Sequence, residues 1–204
     1  MEYPKIETLF DRDKDTFKVD TSKWRLPEFE YLQNNEWLVT EKIDGTNIRV
    51  MWDGQKVVFG GRTDNANLSA SLVTRLQELF PVEKFQLNYP NVSMTLYGEG
   101  YGAGIQKGGG NYLPDGKDFI LFDVLIKDYW LLQDDMNGIA SKLQIKTVPF
   151  LGKYNLNVVT NMVKLGLVST FGSFKAEGVV VKTPVGLYSR YNQRLVGKLK
   201  ATDL

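Results

Sequence analysis

The chain contains no cysteine and no histidine. Their absence removes disulfides, thiolate and imidazole metal sites, cysteine nucleophiles and histidine-based triads together. Any metal would have to be held by oxygen, which favours Mg²⁺ or Mn²⁺. Long apolar runs are missing as well: no stretch is long enough to span a bilayer, and Met1–Asp20 is charged throughout. A charged leader without a hydrophobic segment predicts a cytoplasmic protein with no membrane partner. A dominant charge sign is also lacking, since 25 Lys and Arg stand against 24 Asp and Glu for a net +1. That balance provides no general attraction for nucleic acid and predicts weak, salt-sensitive binding to phosphates.

What is present suits one soluble domain. The 204 residues are 43% hydrophobic and 24% charged, enough to bury a substantial core, and the expectation is a single domain over 1–204 with no appended carboxyl-terminal domain. Residues 1–35 mix charges with Pro4 and Pro27 and read as a lead-in with short strands.

The stretch that organises the rest is Glu41-Lys42-Ile43-Asp44-Gly45-Thr46-Asn47. Trp37-Leu38-Val39 leads in and Ile48–Trp52 leads out, both rich in β-branched or aromatic residues, so Lys42 falls in a polar turn at the lip of a sheet. A solvated lysine there is a protonated surface charge with no free lone pair. Desolvation or cationic neighbours would make it a nucleophile. Asp53-Gly54 then marks a hairpin joining Ile48–Trp52 to Val57–Gly60. Arg62, after Gly60-Gly61, can fork onto phosphate or ribose, or remain a solvated turn arginine.

Leu72, Leu76, Leu79 and Phe80 form one apolar helical stripe, with Asn67 or Ser69 as the cap and Pro81 as the stop. Val92–Tyr97 reads as a strand leading to Glu99 and a glycine run through Gly110. A dinucleotide fingerprint fails there because Asn111-Tyr112-Leu113-Pro114 follows in place of a helix. A P-loop fails because Asn111 occupies the first glycine position and Asp118 follows Gly116-Lys117. The segment is expected to be a strand end carrying Glu99, then a mobile surface loop. Phe119–Ile126 is a buried strand in which Phe122 either packs in the core or stacks on a ligand ring. Asp134–Leu143 and Leu156–Leu167 have helical spacing.

Near the carboxyl end, alternation in Glu177–Lys182 places Glu177, Val179 and Val181 on one strand face and Val180 and Lys182 on the other. Lys198 and Lys200 share a face of the last strand. They are either a solvated edge that discourages aggregation or a pair that needs an anion between or across them.

In order, Lys42 in Lys-x-Asp-Gly-x-Asn, Arg62, Glu99 in Gly-Glu-Gly, Phe122, Glu177-Gly-Val-Val-Val-Lys182 and Lys198-x-Lys200 resemble the covalent nucleotidyltransferases, the ATP-dependent polynucleotide ligases and capping enzymes. The Lys42–Asn47 string, Gly-Arg-Thr around Arg62 and the Ala103–Gly108 loop are most similar to RNA ligases of the second phage class, which seal nicks in duplex RNA. The resemblance implies an α+β fold, with antiparallel sheets flanked by helices in an ATP-grasp-like nucleotidyltransferase domain and ATP between the sheets. It makes Lys42 the nucleophile that takes AMP. Glu41, Asn47, Arg62, Glu99, Phe122 and Lys182 become cofactor contacts, with Phe122 on adenine and Glu99 on the ribose hydroxyls. Glu177 helps place Mg²⁺ or Mn²⁺, and Lys198 and Lys200 hold the α-phosphate.

The implied activity is ATP-dependent joining of RNA 5′-phosphate and 3′-hydroxyl ends through lysyl-AMP. Lysines, an arginine and a metal suffice for such phosphoryl chemistry without histidine. Nicked duplex or RNA ends are the expected partners, with DNA as the alternative strand and a second protein as a source of nucleic-acid affinity. The competing readings are a minimal DNA ligase and a module that binds nucleotide or RNA ends without turnover.

Overall fold

The computed structural model describes residues 1–204. In chain order the first elements are β1 (Glu7–Thr8), β2 (Phe10–Arg12), β3 (Val19–Trp24), α1 (Pro27–Tyr31), β4 (Trp37–Lys42), β5 (Thr46–Trp52) and β6 (Val57–Gly60). The middle of the chain forms α2 (Ala70–Leu79), α3 (Val82–Asn88), β7 (Met94–Gly102), α4 (Gly109–Tyr112), β8 (Lys117–Ile126) and β9 (Tyr129–Trp130). The remainder forms α5 (Gln133–Leu143), β10 (Lys146–Thr147), β11 (Phe150–Tyr154), α6 (Leu156–Lys164), β12 (Gly178–Lys182) and β13 (Val196–Lys200). No helix is long and apolar enough to cross a membrane.

The chain divides into two compact units, one of Met1–Pro4 with Asp44–Val148 and the other of Lys5–Ile43 with Pro149–Leu204. The first is built on a sheet of order β10-β8-β7-β5-β6, with β9 paired to β8. All its pairings are antiparallel except the short β10–β8 edge. Ile48, Val50 and Trp52 alternate along β5 into a buried cluster with Leu72 and Leu76 of α2 and Met136 of α5. Asn47 and Arg49 therefore project from the opposite face of the strand. The α2 stripe ends at Phe80 before Pro81, as its spacing predicts. Ser69 is the residue preceding the helix, but its hydroxyl accepts a bond from Lys117 and makes no side-chain cap.

The glycine run departs from the expected mobile loop. β7 continues through Gly98-Glu99-Gly100 to Gly102, and Gly109–Tyr112 forms one helical turn. Ile105 and Tyr112 are buried, with Tyr112 edge-on to Tyr101. Two apolar side chains anchor a segment whose glycine content alone suggests freedom.

The second unit carries a sheet of order β1-β13-β12-β4-β11, beside the β2–β3 hairpin. β12 lies between β4 and β13 and is antiparallel to both, while β1 joins β13 in parallel. Trp37, Val39, Val179, Val181 and Leu199 point into a core shared with α6. Asn155 caps α6 by accepting from the Val158 N–H. The helix ends at Lys164, one turn short of the predicted limit, because Gly166 takes a positive φ of 87°. Each unit buries one tryptophan almost completely, Trp52 in the first and Trp37 in the second, and each indole N–H donates to a main-chain carbonyl.

Candidate active site

In the second unit, the strand register lines up the lysines predicted from the sequence. Gly178 of β12 pairs with Lys42 on one side and with Lys200 on the other; Val180 pairs likewise with Thr40 and Lys198. Lys182, in the same alternation, pairs with Leu38 and Val196. Since Val39, Val179, Val181 and Leu199 turn into the core, Lys42, Lys182, Lys198 and Lys200 share the other face. Lys42 is the last residue of β4 and Lys200 the last of β13, so their side chains leave the sheet at one end.

Glu177 joins them. Its Oε2 accepts from Lys42 Nζ at 2.6 Å, and its Oε1 accepts from Lys200 Nζ at 2.6 Å. Their side chains are 20%, 12% and 32% exposed for Lys42, Glu177 and Lys200 respectively. This corrects the expected placement of Glu177 with Val179 and Val181. Glu177 precedes β12, outside the regular alternation, and its carboxylate lies with the lysines. Gly178 permits the close approach: a Cβ there would fall 2.2 Å from the Leu199 carbonyl oxygen. One carboxylate shared by two ammonium groups leaves the cluster net positive. Lys198 and Lys182 add to that charge, and such a face attracts phosphate.

Glu41, immediately before Lys42, is 1% exposed. Its carboxylate accepts from Ser169 Oγ at 2.6 Å and from the Thr170 N–H and Oγ1 at 2.9 and 2.7 Å. These three donors fix the strand end that delivers Lys42. Ser169 and Thr170 carry no signal in the sequence, where nothing local ties them to a residue 128 positions away.

In the first unit, Asn47 and Glu99 lie on the sheet face opposite α2 and α5. Asn47 of β5 pairs directly with Glu99 of β7, which pairs with Ile120 of β8. Asn47 Oδ1 is buried and has no hydrogen-bond partner, an uncompensated polar group of the kind that marks a ligand position. Arg62 is exposed in the turn after β6. That turn is held by Arg49, a residue absent from the sequence-based site. Arg49 is 2% exposed, donating from Nε to the Gly61 carbonyl and from Nη2 to Asp64 Oδ1, both at 2.7 Å. The available signal was a lone arginine inside the apolar run Ile48–Trp52, because a buried guanidinium must find acceptors.

Phe122 is half-buried, with the Tyr3 ring edge-on at 5.1 Å. Tyr3 OH donates to Asp123 Oδ2 at 2.7 Å, and Tyr97 OH donates to the Met1 carbonyl at 2.8 Å. Burial raises the Tyr97 phenol above its ordinary pKa. The amino terminus, whose sequence carries no chemical motif, thus forms a wall beside the ring predicted to stack. Asp44 Oδ2 accepts from the Gly108 N–H and ties the turn after Lys42 to the glycine segment.

The RNA ligase family model matches residues 35–200, from just before β4 to the last residue of β13. Among solved structures, a single-site mutant of Naegleria gruberi RNA ligase with AMP and Mn is 22% identical, with a TM-score of 0.70, covering 97% of this chain and 60% of that one. A second mutant with ATP and Mn is 21% identical with a TM-score of 0.70, covering 98% and 61%. The same ligase with PPi is 22% identical with a TM-score of 0.70, covering 98% and 62%. The chain therefore spans about three fifths of the length of these ligases and shares their nucleotidyltransferase fold. With the family pattern running from the strand of Lys42 to the strand of Lys200, the chain belongs to the RNA ligase family.

Proposed function

We propose that residues 1–204 form the adenylyl-transferring domain of an ATP-dependent RNA ligase, working in the cytoplasm on RNA 5′-phosphate and 3′-hydroxyl ends. The observation that carries this reading is the Glu177 carboxylate bridging Lys42 and Lys200 at 2.6 Å on each side. It puts the amine of the Lys-x-Asp-Gly turn beside an ammonium group drawn from the far end of the chain.

In the first step Lys42 Nζ passes a proton to water or to Glu177 Oε2, the oxygen it already donates to, and the neutral amine attacks the α-phosphorus of ATP. A P–N bond forms, the α–β P–O bond breaks, and pyrophosphate departs. Lys200 and Lys198 offset the charge that gathers on the α-phosphoryl oxygens. The AMP then passes to an RNA 5′-phosphate oxygen, freeing Lys42. A 3′-hydroxyl oxygen next attacks that phosphate, AMP leaves, and the strand is joined.

On the first unit's face, Asn47 and Glu99 suit ribose hydroxyls, Phe122 suits the adenine ring, and the exposed Arg62 suits phosphate. Lys182 completes the nucleotide contacts expected of the family, whereas the Glu41 carboxylate, buried and held by Ser169 and Thr170, braces the strand end and is not available to the nucleotide. A divalent metal fits the donor set. Mg²⁺ and Mn²⁺ are commonly held by one or two carboxylates plus substrate phosphate oxygens and water, and Glu177 is the carboxylate at the lysines. The metal would supply charge neutralisation at the phosphates and compete for the oxygens that now hold Lys42. A partner protein is a further source of RNA affinity, and nicked duplex is the substrate implied by the motif resemblance.

Intact mass after incubation with ATP and Mg²⁺ tests this reading. The parent gains one AMP in an acid-labile, alkali-stable linkage, and Lys42→Ala, with an unchanged circular dichroism spectrum, gains none. An adduct surviving in Lys42→Ala, or none on the parent, overturns the assignment.

A further inference from the structure

The near-neutral net charge hides a strong segregation. Between Gly178 and Thr202 there are five cations, Lys182, Arg190, Arg194, Lys198 and Lys200, and no acidic residue. The other 179 residues hold 20 basic and 24 acidic groups. An even total is thus compatible with one strongly basic stretch.

The middle of the segment is the loop between β12 and β13, and it is ordered as a hairpin. Tyr188 bridges Arg194 in antiparallel fashion, the Ser189 N–H donates to the Gln193 carbonyl at 2.7 Å, and the Leu195 N–H donates to the Leu187 carbonyl at 2.9 Å. At its tip the Arg190 guanidinium lies 4.7 Å from the centre of the Tyr191 ring. Tyr191 is 70% exposed and Tyr188 47% exposed. At its foot is an apolar cavity of about 350 Å³ lined chiefly by Leu32, Trp37, Pro184, Val185 and Leu187, with Asn35 and Glu36 supplying polar atoms.

Exposed tyrosines cost little rotamer entropy to order, and every base offers a π-face, so an aromatic platform beside arginines takes unpaired nucleotides regardless of sequence. A cavity of this size matches the lower range of small-ligand pockets, and bases inside a duplex are stacked away from such contacts. The same strands carry Lys182 at the hairpin root and Lys198 and Lys200 further along. The rows of Lys182 and Lys200 are four residues apart, about 13 Å at the usual rise of a strand.

We propose that the 183–195 hairpin and the cavity at its foot form a docking surface for an unpaired RNA segment, one base stacking on Tyr191, another entering the cavity, and the phosphates following the cations toward Lys200. This rests on the ligase reading and deepens it. It also departs from the nicked duplex implied by the motifs, since the strand next to the break is held unpaired.

The test is fluorescence anisotropy with a 5′-phosphorylated single-stranded RNA and with a blunt RNA duplex, together with the ATP mass assay on each protein. Arg190→Ala and Tyr191→Ala should each weaken single-strand binding roughly fivefold or more. Arg190→Ala alone should reduce the slope of log K against log salt, by about 0.7. Val185→Trp, at a position 59% exposed, fills the cavity without altering charge and should weaken binding as well. All three variants should form lysyl-AMP like the parent. Parent binding that is undetectable, equal on blunt duplex, or unchanged in all three variants overturns the docking surface. Failure of the parent to form lysyl-AMP overturns the ligase reading and leaves the binding measurement independent of it.

Discussion

Asp118, at the head of β8, is 6% exposed and serves two cations and a phenol. Its Oδ1 accepts from Arg75 at 3.1 Å, and its Oδ2 accepts from Lys146 at 3.0 Å and from Tyr101 OH at 3.4 Å. Burial by itself would raise the carboxyl. Hydrogen bonds from Lys146 and the Phe119 N–H, with the charges of Lys146 and Arg75, outweigh it and hold the pKa below the ordinary value. A depressed carboxyl stabilises the fold fully above its unfolded value of about 3.9 and loses that contribution as pH falls through the lower folded value. The same contact raises Lys146, whose contribution is complete below its unfolded pKa and is lost only as pH rises through the raised one. Asp118→Asn should therefore cost about 2 kcal/mol at neutral pH, because it leaves two cations short of an acceptor. Differential scanning calorimetry should show a melting temperature roughly 5 °C lower. The difference between variant and parent should shrink as pH drops below about 4.

At the scale of elements, the candidate site depends on β12 lying between β4 and β13. Gly178 pairs with Lys42 on one side and Lys200 on the other, next to the bridging Glu177, and a methyl group added there would lie 2.2 Å from the Leu199 carbonyl oxygen, too near to fit. Gly178→Ala should push β12 from β13, costing about 2 kcal/mol by overpacking. It should also slow AMP transfer to Lys42 more than it slows ATP binding, a contrast that single-turnover mass assays and equilibrium binding can measure. How such an arrangement could be read from the sequence differs along the chain. Local signals worked well: the Asp53-Gly54 hairpin, the α2 stripe ending at Pro81, and the turn after Lys42 each depend on residues within a few positions of one another. Alternation also placed Lys198 and Lys200 together. It misled at Glu177, because the period of two applies within a strand and Glu177 stands just before one. The Ser169 and Thr170 donors to Glu41, and Tyr3 beside Phe122, depend on contacts across more than 100 residues, and no short-range pattern encodes those. Arg49 was visible as an interruption of an apolar strand, although its acceptors at Gly61 and Asp64 were not.

For the whole molecule, the uneven distribution of charge matters more than its sum. A net +1 predicts indifference to polyanions, whereas five cations without an acid over residues 178–202 predict a local attraction. The parent should bind a heparin column at low salt despite its neutrality, and Arg190→Ala combined with Arg194→Ala should elute at clearly lower salt. Equal elution would show that the segment does not act as one electrostatic surface.

The two fully enclosed tryptophans have a practical consequence. An indole removed from water emits at shorter wavelength, and Trp52 and Trp37 each sit in a different core. With Trp24 and Trp130 changed to Phe, a further Trp→Phe change at either position leaves a lone emitter, so the colour of the protein's own light reports the loss of one sheet at a time without any attached dye.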